Sequence, residues 1–378
     1  MTIHRMSPVA QRYAGFARKD IAPRKDLHDL TDIPMDLWQK MATQGLFSLV
    51  FPSEFDGAGK DALDLSQATQ ALAMEGKNMG MVASWLIPQI IGRFIFMRLG
   101  SREQHERYLP SLAHGKTIPC LAISEPSGGA HPARMNTTAN QKGDYYILNG
   151  EKTMLTNAPI ADLFLVIAIT KESGDRREFT AFIIDRDTPG LSLTKKTMLD
   201  FLRPSVHGGI ILKDCKVTDK NILGKKGQAY TDIVRPFRGI EDTFIASALA
   251  GALKAHARAL VRMIKDQIPS PHNNSLCIET SEITAMAHSM GILAENAATM
   301  LEAREMTKDH SLVMITLRDM GVHSLEKVTG IIKEYNLDTD ISWDQAHKDL
   351  VMASQFAKKT NDLMKIKIAH ADIAHCVP

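Results

Sequence analysis

The chain has 378 residues, with 45 basic and 43 acidic side chains and a formal net charge of +2. So small an excess excludes a broad electrostatic footprint for nucleic acid or anionic lipid. With 44% hydrophobic and 23% charged residues, the composition is that of an ordered globular chain long enough for two or three domains.

In chain order, residues 1–115 carry helical signals. Asp32-Ile33-Pro34 predicts a helix start, a capping side chain followed by proline in the first turn. Phe51 to Gly59 is a turn-rich connection. The stretch Met79–Ile91 is apolar but interrupted by Ser84, Pro88 and Gln89, and is expected to fall short of the ~20 residues a membrane helix needs. Ser101-Arg102-Glu103-Gln104 is a capping-box pattern opening a helix that Pro110 is expected to end.

From Ile118 the character changes. Asn149-Gly150, between Tyr145–Leu148 and Glu151–Leu155, predicts a β-hairpin turn, because both residues tolerate positive φ. Further strands are predicted at Leu163–Thr170, Phe179–Ile184 and Gly209–Leu212, with the polar turn Glu172-Ser173-Gly174-Asp175 between the first two. Helical periodicity returns near Tyr230, and Gly239–Met263 is rich in the strong helix formers alanine and leucine. The expected fold class is α+β, in three domains: N-terminal helical (1–115), a middle β-barrel-like domain (116–224) and a C-terminal helical bundle (225–378). The order is not the alternation of a doubly wound sheet.

Several chemistries lose their support. Cys120, Cys215, Cys277 and Cys376 are far apart and form no CxxC pair, which points to isolated buried thiols and away from a disulfide framework or cysteine zinc site. His370, His375 and Cys376 match no zinc spacing, so no metal is expected. Gly115-Lys116-Thr117 lacks the upstream glycine of a P-loop, and neither GxGxxG nor GxSxG occurs. The N-terminus lacks the apolar core of a secretory signal, so a cytoplasmic protein without membrane insertion is expected.

Three segments, in order, resemble the acyl-CoA dehydrogenase family of flavoproteins. Phe51-Pro52-Ser53-Glu54-Phe55-Asp56-Gly57-Ala58-Gly59 is similar to that family's P-E-x-x-G-G-x-G loop. Leu121-Ala122-Ile123-Ser124-Glu125-Pro126-Ser127-Gly128-Gly129-Ala130 resembles its T/S-E-P-x-A-G-S-D segment. Leu148 to Asn157 resembles L-N-G-x-K-x-W-I-T-N. The resemblance covers about residues 30–260. It implies FAD as cofactor, with Leu121, Ile123 and Ser124 lining the flavin ring, Thr156 supplying a hydroxyl near N5, and Gly129, Ala130 and Met154 at the positions of further cofactor contacts. It also implies an acyl-CoA substrate in fatty acid metabolism, an electron-transfer flavoprotein as acceptor, and a homodimer or homotetramer.

The implied reaction removes the α proton of a thioester and passes the β hydrogen as hydride to flavin N5. It needs a carboxylate base, best with a pKa raised by burial, and donors for the developing enolate. The family's C-terminal Y-E-G-T motif is missing; aligning E-R-x-x-x-A-A-G-x-x-G on Gly251 puts Glu241 at the alternative base position, with Asp242 in place of the arginine. Periodicity places Glu241 on the stripe of Phe237, Phe244, Ile245, Ala248 and Leu249, either as a base or as a structural pair with Arg238. Met154 replaces the stacking tryptophan, Ala130 and His131 replace the serine and aspartate at the phosphates, and R-x-x-F-G and Q-x-x-G-G-x-G are missing. Arg134, Arg235 and Arg238 are the candidate substitutes for charge-assisted phosphate contacts. Three functions follow: acyl-CoA dehydrogenase, a degenerate paralogue with a binding or assembly role, or an oxygen-using flavin oxidase or monooxygenase.

Overall fold

Continuous buried runs rich in branched and aromatic residues make Leu163–Ser173 and Arg176–Asp185 strands covered on both faces in a mixed sheet. The computed structural model describes residues 6–174, 176–269, 273–302, 307–355 and 358–375. The strands are β1 (Pro119–Ala122), β2 (Thr138–Lys142), β3 (Tyr145–Thr156), β4 (Leu163–Ser173), β5 (Arg176–Asp185), β6 (Leu191–Leu193), β7 (His207–Thr218) and β8 (Ile222–Leu223). They pair in the order β6-β7-β3-β2-β4-β5-β8, and β1 lies parallel to β4 with Leu121 opposite Leu165. Cys120, Tyr146, Leu148, Phe164, Val166 and Phe182 form the dry core on this sheet.

The helices are α1 (Pro8–Phe16), α2 (Met35–Thr43), α3 (Ala62–Gly76), α4 (Met79–Ile90), α5 (Met97–Leu99), α6 (Arg102–Ala113), α7 (Arg235–Gln267), α8 (Asn274–Glu302), α9 (Lys308–Glu334), α10 (Ile341–Gln355) and α11 (Lys358–His375). By contacts the chain divides into two units. The sheet unit takes Asp29–Lys60 and Ala83–Ile240. The helical unit takes the chain up to His28, Asp61–Val82, and everything from Glu241 onward. In the helical unit, Ala257, Leu260, Ile264, Leu276, Ile283, Val328 and Ile331 form a core shared by α7, α8 and α9. The α+β class, with helical, sheet and helical segments in that order, is as expected.

Four local expectations are corrected. Asn149-Gly150 is not a hairpin turn: β3 is one continuous strand, and the pair sits at a bulge where its register against β7 shifts. A Cβ on Gly150 would lie 2.4 Å from Thr137 Oγ1, so glycine is there for close approach, and the Asn149 side chain bridges to Asp214. The true turn is Gly143-Asp144, between Lys142 and its partner Tyr145. Asp32 does not cap a helix; α2 begins at Met35 after Pro34, and Asp32 pairs with Lys196. Pro110 does not end α6, which runs one more turn to Ala113 before Gly115 turns the chain at φ +63°.

The fourth correction concerns length. Met79–Leu99 is one 21-residue helical stretch, and it and Tyr230–Gln267 are long and apolar enough to cross a bilayer, with 89% and 67% of their apolar windows buried within the protein. A π-helical turn at Ile91–Phe96 follows Pro88 and carries the helix on. Gly92 lies in that turn, where the Phe51 ring packs so closely that a Cβ would sit 2.4 Å from it. The Ser101–Gln104 capping box is present in full. Cys120 and Cys215 are buried as expected, Cys277 is exposed, and Cys376 lies outside the described residues, as does Asp175 of the expected turn.

Candidate active site

β1 leads straight into the segment Ile123-Ser124-Glu125. Leu121 and Ile123 are buried and Ser124 is half-buried. The segment is locked by an ion pair: Lys152 Nζ donates to Glu125 Oε1 at 2.8 Å and to the Ile123 carbonyl at 3.0 Å. The Asn136 and Thr137 amides complete the Glu125 carboxylate at 2.6 and 3.0 Å. Lys152 is 0% exposed and Glu125 4%. Burial alone would raise Glu125, but Lys152 and the hydrogen bonds hold it below the ordinary carboxylate range; burial pushes Lys152 down to about 8 against the pull of Glu125.

Beyond Glu125 the backbone closes on itself. Glu125 N donates to Gly129 O and Gly129 N to Glu125 O, at 3.0 and 2.9 Å, which requires the φ of +61° at Gly129. Gly128 lies against the Arg134 stem, where a Cβ would meet that side chain at 2.4 Å. Ala130, His131 and Arg134 are exposed.

The second half of the constellation comes from β3. Thr153 N donates to Ser124 O at 2.9 Å, tying the strand to the loop. At a second register shift, between Lys152 and Leu155, Met154 takes φ +56° and is 45% exposed. Two residues on, Thr156 Oγ1 meets His207 Nε2 at 3.1 Å. Burial pushes His207 down to about 4, so its imidazole is neutral at pH 7.

The acyl-CoA dehydrogenase N-terminal domain model matches residues 7–116 and the middle domain model residues 120–215. The chain belongs to the acyl-CoA dehydrogenase family. A relative named acyl-CoA dehydrogenase, from Bacillus subtilis (strain 168), is 27% identical over 361 residues and 94% of each chain. The solved structure of butyryl-CoA dehydrogenase from Megasphaera elsdenii has TM-score 0.85 at 21% identity, covering 98% of this chain and 100% of its own. The prolyl acyl carrier protein oxidase AnaB has TM-score 0.84 at 26% identity, covering 96% and 97%.

Members of the acyl-CoA dehydrogenase family are flavin-dependent dehydrogenases. The described residues fit the ring of such a cofactor: an exposed methionine, a hydroxyl backed by a neutral imidazole, and two apolar side chains lie on backbone segments bonded to one another. At the phosphate positions, Ala130 brings no polar group, which leaves His131 and Arg134.

Of the residues singled out from sequence, Leu121, Ile123, Ser124, Gly129, Ala130, Met154 and Thr156 all belong to the sheet unit, and Glu241 to the helical unit. Glu241 is half-buried on α7, with Phe244 fully buried and Ala248 and Leu249 buried on its face; Arg235 and Arg238 are exposed. The adjoining Asp242, which stands where the family has an arginine, accepts from Arg318 Nη2 of α9 at 2.5 Å. Sequence reasoning missed the roles of Glu125, Lys152 and His207. The first two were visible only as motif letters 27 positions apart, and His207 carries no local signal at all.

Proposed function

We propose that the protein is an FAD-dependent acyl-CoA dehydrogenase that removes the α proton and β hydrogen of an acyl-CoA thioester. The observation that carries this reading is the ring-binding constellation: Met154 and Thr156 on a bulged strand, tied to the Leu121–Ser124 segment and held by the buried Lys152–Glu125 pair. Leu121, Ile123 and Met154 would hold the ring faces, Ser124 and Thr156 would hydrogen-bond its polar edge, and the Gly129-Ala130 backbone would lie toward the phosphates. Bound FAD would supply the two-electron acceptor for the β hydrogen. The neutral His207 holds the Thr156 hydroxyl in place without adding charge.

Glu241 takes the α proton in this reading. Its half-buried place on the face of α7 that carries the buried Phe244, Ala248 and Leu249 supports that role, which needs a carboxylate positioned in an apolar setting. The electron acceptor is an electron-transfer flavoprotein, the assembly a homodimer or homotetramer, and the location cytoplasmic. A second reading, an oxidase that returns electrons to oxygen, is favoured by the 26% identity to AnaB, itself named an oxidase.

The absorption spectrum of the purified protein tests these readings. Flavin bands that bleach anaerobically with acyl-CoA, and that air restores only slowly, are expected. Fast return in air selects the oxidase, and no flavin even after reconstitution removes both readings in favour of a non-redox paralogue. In Glu241→Gln, flavin stays bound and bleaching stops; bleaching at the native rate moves the base to another carboxylate.

A further inference from the structure

Inside the helical unit lies a cavity of about 620 Å³, within the roughly 300–1,000 Å³ typical of small-molecule sites. One wall is a column of small residues on α7, Ala252, Ala255 and Ala259, which leaves the space open. Met79 and Met263 also face it; thioethers adapt to irregular guests and favour aromatic ring edges. The remaining feature is a ring stack, His256 against Trp343, with centroids 3.6 Å apart and planes inclined by 19°.

Hydrogen bonding determines which nitrogen of His256 carries the proton. Thr329 Oγ1 donates its single proton to Leu325 O at 2.9 Å. With the proton assigned there, Thr329 Oγ1 accepts from His347 Nε2, 3.2 Å away. His347 Nδ1 is then an acceptor, and it takes the Nε2 proton of His256 at 3.0 Å. His256 is left with a bare Nδ1 acceptor on a residue only 4% exposed that lines the cavity. Burial pushes its pKa down to about 3, so the ring stays neutral. The formally charged lining residues balance, Arg24, Lys25 and Lys77 against Asp338, Asp340 and the buried Asp349; Arg24 is also held by both oxygens of Asp26, and Asp340 caps the Trp343 amide.

We infer that this cavity binds a small aromatic molecule that is uncharged and donates one hydrogen bond to His256 Nδ1. The inference is independent of the dehydrogenase reading, because no residue in it serves the flavin constellation or the proposed base. With three cationic and three anionic side chains in the lining, nothing there favours a charged guest over a neutral one. A purely apolar guest would leave the imidazole acceptor without a partner, which is costly in a buried site.

Calorimetric titration of the full-length protein with indole and with 1-methylindole tests it. Indole is expected to bind at one site, about tenfold more tightly than 1-methylindole, which lacks the N–H donor. His256→Phe keeps a ring against Trp343 and is expected to abolish that preference. The methyl resonances of Met79 and Met263 are expected to shift with indole in the unaltered protein. Equal affinities for the two probes, no saturable indole binding, or shifts confined to other methionines would overturn the inference. None of these outcomes depends on the variant folding.

Discussion

The two units bury polar groups in opposite ways. In the sheet unit a charged pair is buried, Lys152 with Glu125, satisfied by three backbone groups. In the helical unit several buried polar links around α7 are neutral: Ser66 with Ser247, Thr243 with His310, and His256 with the half-buried His347. A strand followed by an irregular loop leaves backbone amides and carbonyls that only a strong partner satisfies. Helices satisfy their own backbones, so their interfaces need only short hydroxyl and imidazole links. The sheet unit thus spends a buried charged pair on holding a loop in shape, and the helical unit joins α7 to its neighbours partly through neutral links and leaves room for a cavity.

The largest effect should come from splitting the charged pair. Lys152→Met strands the Glu125 carboxylate and is expected to cost about 3–5 kcal/mol in denaturant unfolding. Lys152→Met with Glu125→Leu should recover much of that, and a double variant no more stable than the single would mean the pair is not what locks the loop. Next, Gly251→Ala puts a Cβ 2.2 Å from the Gln70 backbone oxygen, whereas Gly291→Ala meets chiefly the flexible Lys254 end, also at 2.2 Å. Thermal unfolding should place Gly251→Ala about 1–3 kcal/mol below the native protein and Gly291→Ala closer to it; the reverse order would show that the α3–α7 contact yields more easily than the α7–α8 contact.

The histidines give a smaller, graded effect. His207 and His256 titrate near 4 and 3 in the folded chain and near 6.5 when unfolded. Below pH 6.5 the unfolded state binds more protons, so stability is full above that value. It falls as pH drops toward 4 and 3, by on the order of 1 kcal/mol per pH unit for each histidine. Unfolding midpoints measured from pH 7 to 5 should decline, and His256→Phe should flatten the slope. A slope unchanged in that variant would remove His256 from the account. Smallest is Ser101→Ala, which breaks the capping box of α6 and should lower stability by about 1 kcal/mol.

How legible each unit was follows from the range of its determinants. The Ser101 box, the strands at Leu163, Phe179 and Gly209, and the long helix after Tyr230 rest on neighbours within a few residues, and all were readable. Asn149-Gly150 was misread because a bulge and a turn use the same residues. What separates them is Thr137 and Asp214, which pack against the pair from other strands. Likewise Pro110 interrupts α6 too near its end to stop it.

By itself the sequence determined the class of most segments and put Glu241 on the apolar stripe of its helix, because periodicity and capping are local. Only the tertiary structure decided that Glu125 and Lys152 are one buried pair, that His207 backs Thr156, and that His256 faces a cavity with a bare nitrogen. Each of these depends on residues tens of positions apart meeting in a place without water, and neither composition nor spacing encodes which partners meet there.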